Sequence, residues 1–368
     1  MKICCPCIFG LESVLKFEVS RIGGENITVS DGKVVFEGGE DILARANICL
    51  STAERVLIML GEFRAVTFEQ LFQGVKDIPW EEYIGKKDAF PVKGHSLDSK
   101  LHSVPDCQSI IKKAAVTRLS DKYGLSWFEE TGALHRIQFT ALRDVFSIYL
   151  DTTGDGLHKR GYRRDANSAP IKETLAAGII DLARVKNGAR LVDPFCGSGT
   201  FLIESALRAT NTAPGLKRRF SAEEWGCFSR GIWDEERRRA KENITDGGGF
   251  SAQGYDIDPE CVTLAKGNAV KAGVGAAVSV SQADIRDLRR TDGSIVICNP
   301  PYGERMLDIA AAEELYRIMG QVLAPDSAHP CYIISADEEF EKYFGKKADK
   351  RRKLYNGMLK CQLFMYFR

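Results

Sequence analysis

The sequence predicts an α/β protein with a parallel sheet in its second half and an α+β arrangement in its first half. From residue 190 onward, short apolar runs alternate with helical segments, which is typical of a parallel sheet covered by helices. In residues 1–165, strand-like and helix-like segments follow one another without that regular alternation. At roughly 150 residues per domain, a chain of 368 residues is long enough for two or three domains.

The first half contains two successive sets of elements. The first set comprises strands at 1–9 and 34–36 and helices at 11–22 and 41–53. The second set comprises helices at 68–75 and 106–123 and strands at 89–94, 134–140 and 145–150. A polar, glycine-rich stretch follows and reads as a linker. The predicted limits are therefore a domain over 1–60, a domain over 61–152, a linker over 153–168 and a last domain over 169–368.

The second half supplies the elements of the parallel sheet. Strands are predicted at 190–193, 252–256, 277–280, 295–298 and 331–335. Helices are predicted at 200–210 and 259–272. The chain then ends in a hairpin of 353–359 and 360–368, because Asn356-Gly357 is a strong short-range turn signal.

The composition excludes several classes of protein. With 51 Lys+Arg against 50 Asp+Glu, the chain cannot coat a nucleic acid by charge alone, although a local basic patch remains open. The hydrophobic share of 44% and the charged share of 27% are ordinary globular values. No apolar run approaches the ~20 residues that span a bilayer, and Glu12 comes too early for a signal-peptide core. We expect a cytoplasmic protein without membrane contact.

The 11 cysteines do not indicate a disulfide framework or a metal site. An odd number scattered along a long chain disfavours a secreted disulfide scaffold. Cys4 and Cys7 form one CxxC, but a structural zinc site normally needs a second pair at comparable spacing. We expect no metal, and we interpret Cys4, Cys5 and Cys7 as core residues.

A glycine loop follows the first parallel strand and opens a helix, within the string Asp193-Pro194-Phe195-Cys196-Gly197-Ser198-Gly199-Thr200. Such glycines let a ligand approach the backbone, although the loop alone would equally suit a tight turn. The next strand ends at Asp256, whose carboxylate could accept two hydrogen bonds from a ribose diol. Asp256 lies far beyond the ~20-residue spacing of a dinucleotide-binding fingerprint. The sequence therefore disfavours a plain NAD fold and predicts an insertion between residues 210 and 251.

Two further strand ends carry polar or rigid residues. The third strand ends near Asp284, a carboxylate suited to an adenine amino group, and the fourth ends in Asn299-Pro300-Pro301-Tyr302-Gly303. The prolines hold the backbone extended and leave its carbonyls free. An amide oxygen and a proline carbonyl can accept both hydrogens of an exocyclic amino group, while an aromatic ring stacks on the base. Taken singly, each Asp would also suit a helix N-cap and the prolines a rigid turn.

These strings together resemble a known family. Asp193–Thr200 and Asn299–Tyr302 resemble the motifs of class I S-adenosylmethionine-dependent methyltransferases that modify exocyclic amino groups. Leu157–Arg163, Ala169–Ala176 and Asn299–Arg305 are similar to strings of the THUMP-domain RNA guanine-N2 methyltransferases. That group includes the N-terminal methylase half of the bacterial large-subunit rRNA enzyme and its tRNA-modifying relatives.

The resemblance covers essentially the whole chain and implies a domain order. It implies a ferredoxin-like domain over 1–60, a THUMP RNA-binding domain over 61–152 and a Rossmann-like methyltransferase domain over 169–368. The segment 211–250 is similar to an insertion expected in this family.

The resemblance also implies roles for individual residues. S-adenosylmethionine would be held by Asp193, Phe195, Cys196, Gly197, Gly199, Thr200, Asp256, Ile257, Asp284 and Asn299. Asn299 and Pro300 would bind the target amino group and Tyr302 would stack on the base, which makes these three the expected catalytic residues. The expected RNA contacts are Lys159, Arg160, Arg163 and Arg164 of the linker, with Lys93 and Lys100. The basic run before the last hairpin, which ends in Arg351, Arg352 and Lys353, could track RNA, although such a cluster is more often a solvated face.

The substrate stays open at this point. We expect a monomer that methylates guanine N2 in RNA, with 23S rRNA ahead of tRNA. The same chemistry would suit adenine N6 or cytosine N4 in DNA, or a protein glutamine amide. A non-catalytic RNA-binding assembly factor with a relic methyltransferase fold is the remaining alternative.

Overall fold

A computed structural model describes residues 1–163, 171–289, 293–301 and 306–367, with only the backbone described at 306–308. Two seven-stranded sheets organise these residues, one in each half of the chain. The predicted mixed α/β class is therefore confirmed. Within the described ranges, no helix is long and apolar enough to cross a membrane.

The first sheet has the strand order β2-β3-β1-β4-β7-β6-β5. Its strands are β1 (Lys2–Pro6), β2 (Glu25–Ser30), β3 (Lys33–Glu37), β4 (Leu57–Arg64), β5 (Val92–Leu97), β6 (Ile137–Leu142) and β7 (Val145–Asp151). Its helices are α1 (Glu12–Arg21), α2 (Glu40–Cys49), α3 (Phe68–Lys76) and α4 (Val104–Tyr123). All neighbouring strands are antiparallel except β5 and β6. Cys5 and Cys7 belong to the core of this half, and Cys4 is buried in a smaller cluster, which confirms that the three thiols fill the interior.

Strand β4 is shared by two parts of the chain that the sequence separates. It pairs with β1 through Leu57 and Ile58, and with β7 along most of its length. The domain limit predicted at residue 60 falls inside this strand. Strand β4 is not predicted from the sequence, although its first four residues are apolar.

The second sheet has the order β10-β9-β8-β11-β12-β14-β13. Its strands are β8 (Arg190–Asp193), β9 (Ser251–Asp256), β10 (Val278–Gln282), β11 (Ser294–Cys298), β12 (Cys331–Ser335), β13 (Lys350–Asn356) and β14 (Leu359–Tyr366). Its helices are α5 (Glu173–Leu182), α6 (Thr200–Ala209), α7 (Ile232–Glu242), α8 (Pro259–Ala272), α9 (Met306–Leu323) and α10 (Phe340–Phe344). Strands β8 to β12 are parallel, and β14 runs antiparallel to β12 and β13.

The five parallel strands and the final hairpin are confirmed close to their predicted positions. The hairpin turn lies one residue later than predicted, because Asn356 pairs with Leu359 and leaves Gly357 and Met358 as the loop. Helices α5, α9 and α10 are not predicted.

Helix ends in this half follow local chemical signals. Asp258 caps α8, its carboxylate accepting a hydrogen bond from the N–H of Glu260 at 2.8 Å, and Pro259 follows at the first helical position. The helix ends at Gly273, whose φ of +86° places it in the left-handed region that favours glycine. The start of α8 is thereby fixed directly after the end of β9.

The insertion between α6 and β9 packs against the first half of the chain. Trp225 and Trp233 belong to the core of the N-terminal half, and the indole N–H of Trp225 donates to the carbonyl of Leu134 at 3.0 Å. Arg45 on α2 forms an ion pair with Glu236 on α7 at 2.7 Å. The insertion therefore fixes the parallel sheet against the N-terminal half.

Candidate active site

The carboxyl ends of β8, β9 and β11 meet at one edge of the second sheet. The chain order reverses at β8, which pairs with β9 on one side and with β11 on the other. In open α/β sheets, ligands bind in the crevice outside the strand ends at such a switch point. Asp193 ends β8, Asp256 ends β9 and Asn299 directly follows β11. The structure thus brings three of the predicted site residues to one edge.

The glycine loop adopts a conformation that requires its glycines. Gly197 and Gly199 have φ values of +49° and +80°, which are unfavourable for other residues. A Cβ at Gly199 would lie 3.1 Å from the Cβ of Ala265, so glycine permits the close approach of α8. At Gly197 nothing lies within 4 Å of the corresponding position. This side of the loop faces open space that a ligand can fill.

Two carboxyl groups lie beneath this loop. Asp256 Oδ2 accepts a hydrogen bond from the Gly197 N–H at 2.9 Å, and its Oδ1 accepts one from the Asp258 N–H at 3.0 Å. Asp193 is 1% exposed and accepts a hydrogen bond from the Phe195 N–H at 3.1 Å. Burial, and to a lesser degree the charge of Asp256, raises the pKa of Asp193 to about 8. The site therefore holds a buried carboxyl group whose pKa lies well above that of an ordinary aspartate.

The other predicted cofactor residues differ in accessibility. Cys196 is buried, and its N–H donates to the carbonyl of Tyr255 at 2.9 Å, so its backbone holds the glycine loop against β9. Ile257 is 67% exposed, which is unusual for a large aliphatic side chain and leaves an apolar surface for a planar ring. Phe195 is half-buried against the apolar cluster that includes Val192.

Asp284 is already engaged by a neighbouring arginine. Its Oδ1 accepts a hydrogen bond from the N–H of Arg286 at 2.9 Å, and its Oδ2 accepts one from the guanidinium of Arg286 at 2.7 Å. Asp284 therefore caps a short turn, as the alternative interpretation of this residue allowed. An adenine amino group would have to share or displace this ion pair, which the sequence did not predict.

The prolines after β11 are anchored by a tyrosine on α9. Pro300 is buried and Asn299 is half-buried. The hydroxyl of Tyr316 donates to the carbonyl of Pro301 at 3.3 Å, and the Tyr316 side chain is fully buried. Sequence reasoning missed Tyr316, because the only signal is one polar atom within an apolar helix. Tyr302, expected to stack on the base, lies outside the described residues.

Among the described linker residues, one cation expected to contact RNA is buried inside the protein. Arg160 is 6% exposed, donates to the carbonyls of Ser51 and Leu157, and faces Glu204 at 3.5 Å. Its guanidinium has no surface left for a phosphate, which corrects the expectation that Arg160 contacts RNA. Tyr162 donates to the same Glu204 at 2.9 Å. Arg160 and Tyr162 thus hold this part of the linker against Glu204 on α6, and we call these contacts the buried clamp.

Arg163 likewise makes contacts within the protein. Its guanidinium donates to Thr200 Oγ1 and to the carbonyl of Ile171, each at 3.1 Å, and pairs with Glu173 at 3.0 Å. The first residue of α6 is therefore tied to the linker, and an RNA contact by Arg163 would have to compete with these bonds. Arg164 lies outside the described residues.

Three lysines among the predicted RNA contacts have exposed side chains. Lys159 is exposed and pairs only loosely with the exposed carboxylate of Asp155 at 3.1 Å. Lys93 on β5 and Lys100 on the loop after it are also exposed. Over the described ranges, no group of three or more His, Cys, Asp or Glu side chains is arranged to hold a metal ion.

Three family models match successive parts of the chain. Residues 2–57 match the RlmL ferredoxin-like domain and residues 65–151 match the THUMP domain. Residues 160–364 match the methyltransferase domain described as RMKL-like. The predicted order of a ferredoxin-like part, a THUMP part and a methyltransferase part is confirmed.

Two curated relatives span nearly the whole chain. The Bacillus subtilis protein named "Putative RNA methyltransferase YpsC" is 41% identical over 97% of this chain and 94% of its own length. The "Ribosomal RNA large subunit methyltransferase K/L" of Syntrophotalea carbinolica is 31% identical over 97% of this chain. That alignment covers 52% of the relative, so this chain spans about half of its length.

Solved structures are similar along the full chain. SMU.472, described as "a putative methyltransferase complexed with SAH", is 39% identical with a TM-score of 0.94, over 100% of this chain and 97% of that one. A Listeria monocytogenes protein described as "a predicted N6-adenine-specific DNA methylase" is 41% identical with a TM-score of 0.94, over 99% of this chain and 95% of that one.

Proposed function

This chain belongs to the RMKL-like methyltransferase family, and we propose that it transfers a methyl group from S-adenosylmethionine to the N2 amino group of a guanine in structured RNA. The observation that carries this proposal is the meeting of Asp193, Asp256 and Asn299 at the switch point of the parallel sheet. The match to a THUMP domain and the names of both curated relatives support RNA as the substrate class. The name of the second relative favours 23S rRNA over tRNA.

The crevice fits S-adenosylmethionine, which supplies a methyl group on a positively charged sulfur. The open space at Gly197 accommodates the methionine end beside the buried carboxyl of Asp193. Asp256 is placed to accept the ribose hydroxyls, and the exposed Ile257 offers an apolar surface to the adenine. The similar structure described as complexed with SAH supports this choice of cofactor.

The residues after β11 act on the target amino group. An aromatic amino nitrogen is a poor nucleophile because its lone pair is delocalised into the ring. The amide oxygen of Asn299 and the carbonyl of Pro300 accept its two hydrogens and favour a tetrahedral nitrogen whose lone pair points at the methyl group. Their contribution is orientation and preorganised dipoles. Once methylated, the nitrogen is strongly acidic and loses its extra proton to solvent.

Access to such a pocket requires that the target base leave its stack. Extruding a base costs a few kcal/mol, which contacts elsewhere on the RNA must offset. We assign those contacts to the ferredoxin-like part over 1–60 and the THUMP part over 61–152, where Lys93 and Lys100 are exposed, and to the exposed Lys159 of the linker. We propose a monomer as the acting unit.

A second candidate substrate is adenine in DNA. The description of the Listeria monocytogenes structure favours it, and the Asn299-Pro300 geometry would serve any flat amino group. The THUMP match weighs against it, because nothing in DNA modification calls for an RNA-binding domain.

Methyl transfer to nucleic acid from cells that lack this gene tests the proposal. The purified protein is incubated with labelled S-adenosylmethionine and total RNA or genomic DNA, and the products are separated by size and analysed as nucleosides. Labelled N2-methylguanosine in the large rRNA is the expected result, and the same nucleoside in tRNA would move the activity to tRNA. Label in DNA adenine would overturn the RNA proposal. Cofactor binding without transfer to RNA or DNA would point to a protein or a preribosomal intermediate as the substrate, whereas no detectable binding of S-adenosylmethionine would revive the non-catalytic assembly factor.

A further inference from the structure

Three side chains from the two halves of the chain form a cluster that the proposed chemistry does not use. The rings of Phe9 and Tyr355 meet edge to face, with centroids 6.2 Å apart. The ammonium of Lys353 lies 5.8 Å from the Phe9 ring and 5.3 Å from the Tyr355 ring. Phe9 is 42% exposed, and Lys353 is exposed as well. We name these three residues the junction patch.

The junction patch lies on the same edge of the second sheet as the candidate active site. Lys353 pairs with Gln362 on β14, and Gln362 pairs with Ser335, the last residue of β12. Lys353 is therefore level with the carboxyl end of β12, and Tyr355 lies beyond it. Strand β13 is separated from β11 by β14 and β12, so three spacings of ~4.8 Å place the patch about 15 Å from the strand that precedes Asn299.

Backbone contacts hold the patch in place. Arg352 donates to the carbonyl of Gly10 at 2.8 Å. A Cβ at Gly10 would lie 2.4 Å from the carbonyl oxygen of Lys353, so the loop after β1 passes directly against β13. Glu12 accepts hydrogen bonds from the N–H groups of Gly10 and Gly32 at 2.9 and 3.0 Å, so this nearby carboxylate is already engaged.

The positive charge of Lys353 in the junction patch favours binding of a polyanion such as RNA. Within the ranges that the structure describes, Lys353 makes no ion pair, and Arg352 beside it is held by neutral oxygen atoms of Gly10 and Ser13. Accessible aromatic rings beside uncompensated cations are the elements with which proteins hold unpaired nucleotides, because every base has a face that stacks. Lys353, the last residue of the basic run before the hairpin, thus lies beside aromatic rings at the rim of the candidate site.

We propose that the junction patch stacks on an unpaired base of the RNA substrate a few nucleotides away from the target guanine. This inference rests on the proposed function and adds a second contact point at the junction between the two halves. A stack at this distance would hold the strand on which the target base is turned out, and Lys353 would neutralise the adjacent phosphate. The patch then contributes to RNA affinity and leaves cofactor binding untouched.

Substitutions to leucine test the patch, because they keep apolar packing and remove the aromatic face. We expect Phe9→Leu with Tyr355→Leu to weaken binding of the methylatable RNA about tenfold. We expect KM for RNA to rise by the same factor, with kcat at saturating RNA and S-adenosylhomocysteine affinity unchanged. Tyr355→Phe should bind RNA as the wild type does.

Tyr343 supplies a matched control. Its ring carries two cations at 5.0 Å, Arg317 and Lys342, and like Tyr355 it is half-buried. The next residue, Phe344, packs against Gly320 on α9. Gly320 lies 14 residues after the start of α9, and at 1.5 Å per residue this places it about 20 Å from that end of the helix. Tyr343→Leu should therefore leave RNA affinity unchanged. Equal RNA affinity in the wild type and the Phe9/Tyr355 variant would overturn the patch, whereas absence of RNA binding by the wild type would overturn the proposed function instead.

Discussion

The carboxylate of Asp256 accepts a hydrogen bond from the backbone N–H of Gly197 at 2.9 Å, across 59 positions of sequence. This contact joins the end of β9 to the glycine loop after β8, the two places where the proposed site would hold the ribose and the methionine end. The residue expected to bind the ribose therefore also braces the loop. Both functions depend on one side chain.

We predict that Asp256→Ala weakens S-adenosylhomocysteine binding by about 2 kcal/mol, which is the scale of lost charge-assisted hydrogen bonds. Asp256→Asn should lose less, because its amide oxygen can still accept the N–H of Gly197. Isothermal titration measures all three proteins. An alanine variant that binds as tightly as the wild type would remove Asp256 from the site.

For Asn299 we expect the substitution to affect turnover and to leave cofactor binding nearly unchanged, the reverse of the emphasis at Asp256. Asn299→Ala should abolish methyl transfer because the target amino group loses an acceptor, while cofactor affinity stays within a few-fold. Single-turnover assays report the first effect and titration the second. A loss of cofactor affinity equal to that of Asp256→Ala would show that Asn299 belongs to the cofactor pocket instead.

Burial of Asp193 should make stability depend on pH. The folded protein keeps this proton up to pH about 8, whereas the unfolded chain releases it near 3.9. The folded state thus binds more protons between these values, so the free energy of unfolding falls there as pH rises, by at most about 1.4 kcal/mol per unit. Asp193→Asn cannot titrate and keeps the hydrogen bond to Phe195. Its stability relative to the wild type should increase from pH 5 to 8 in denaturant unfolding. A constant difference across this range would contradict the raised pKa.

The buried clamp predicts unequal effects at two adjacent linker positions. Arg160→Ala leaves the buried Glu204 without its cation and should lower the free energy of unfolding by about 3 kcal/mol. Lys159→Ala removes only an exposed pair with Asp155 and should cost less than about 1 kcal/mol. Denaturant unfolding compares the two. Similar stability of both variants would mean that the clamp contributes little.

Gly10 should be intolerant of a side chain. Gly10→Ala combines a φ of +93° with a Cβ 2.4 Å from the carbonyl oxygen of Lys353, so β13 must shift. Gly124 has a φ of +65° with nothing within 4 Å of its Cβ position. Gly124→Ala should thus cost only the backbone strain of about 1 kcal/mol, and Gly10→Ala clearly more. Equal changes in melting temperature would show that the loop after β1 adjusts freely.

The parallel sheet and the edge that carries the candidate site could be predicted because their signals are local. A glycine pair after Asp193, an acid at Asp256 and prolines after Asn299 each follow an apolar strand directly. Parallel strands bring their carboxyl ends to one edge, so sequence position alone predicts that these residues meet.

The misjudged residues depend on partners far away in the chain. Arg160 lies in a polar, glycine-rich stretch and looks exposed, but Ser51 and Glu204 bury its guanidinium. Strand β4 was missed because Gly61 and Glu62 interrupt its apolar run, and its strand character comes from pairing with β7.

Strand β4 has a consequence for how the N-terminal half unfolds. Its first residues complete the ferredoxin-like part and its later residues complete the THUMP part, so each borrows a strand from the other. A cut at residue 60 would leave two raw sheet edges open to aggregation. We therefore expect the two parts to unfold together as one cooperative unit.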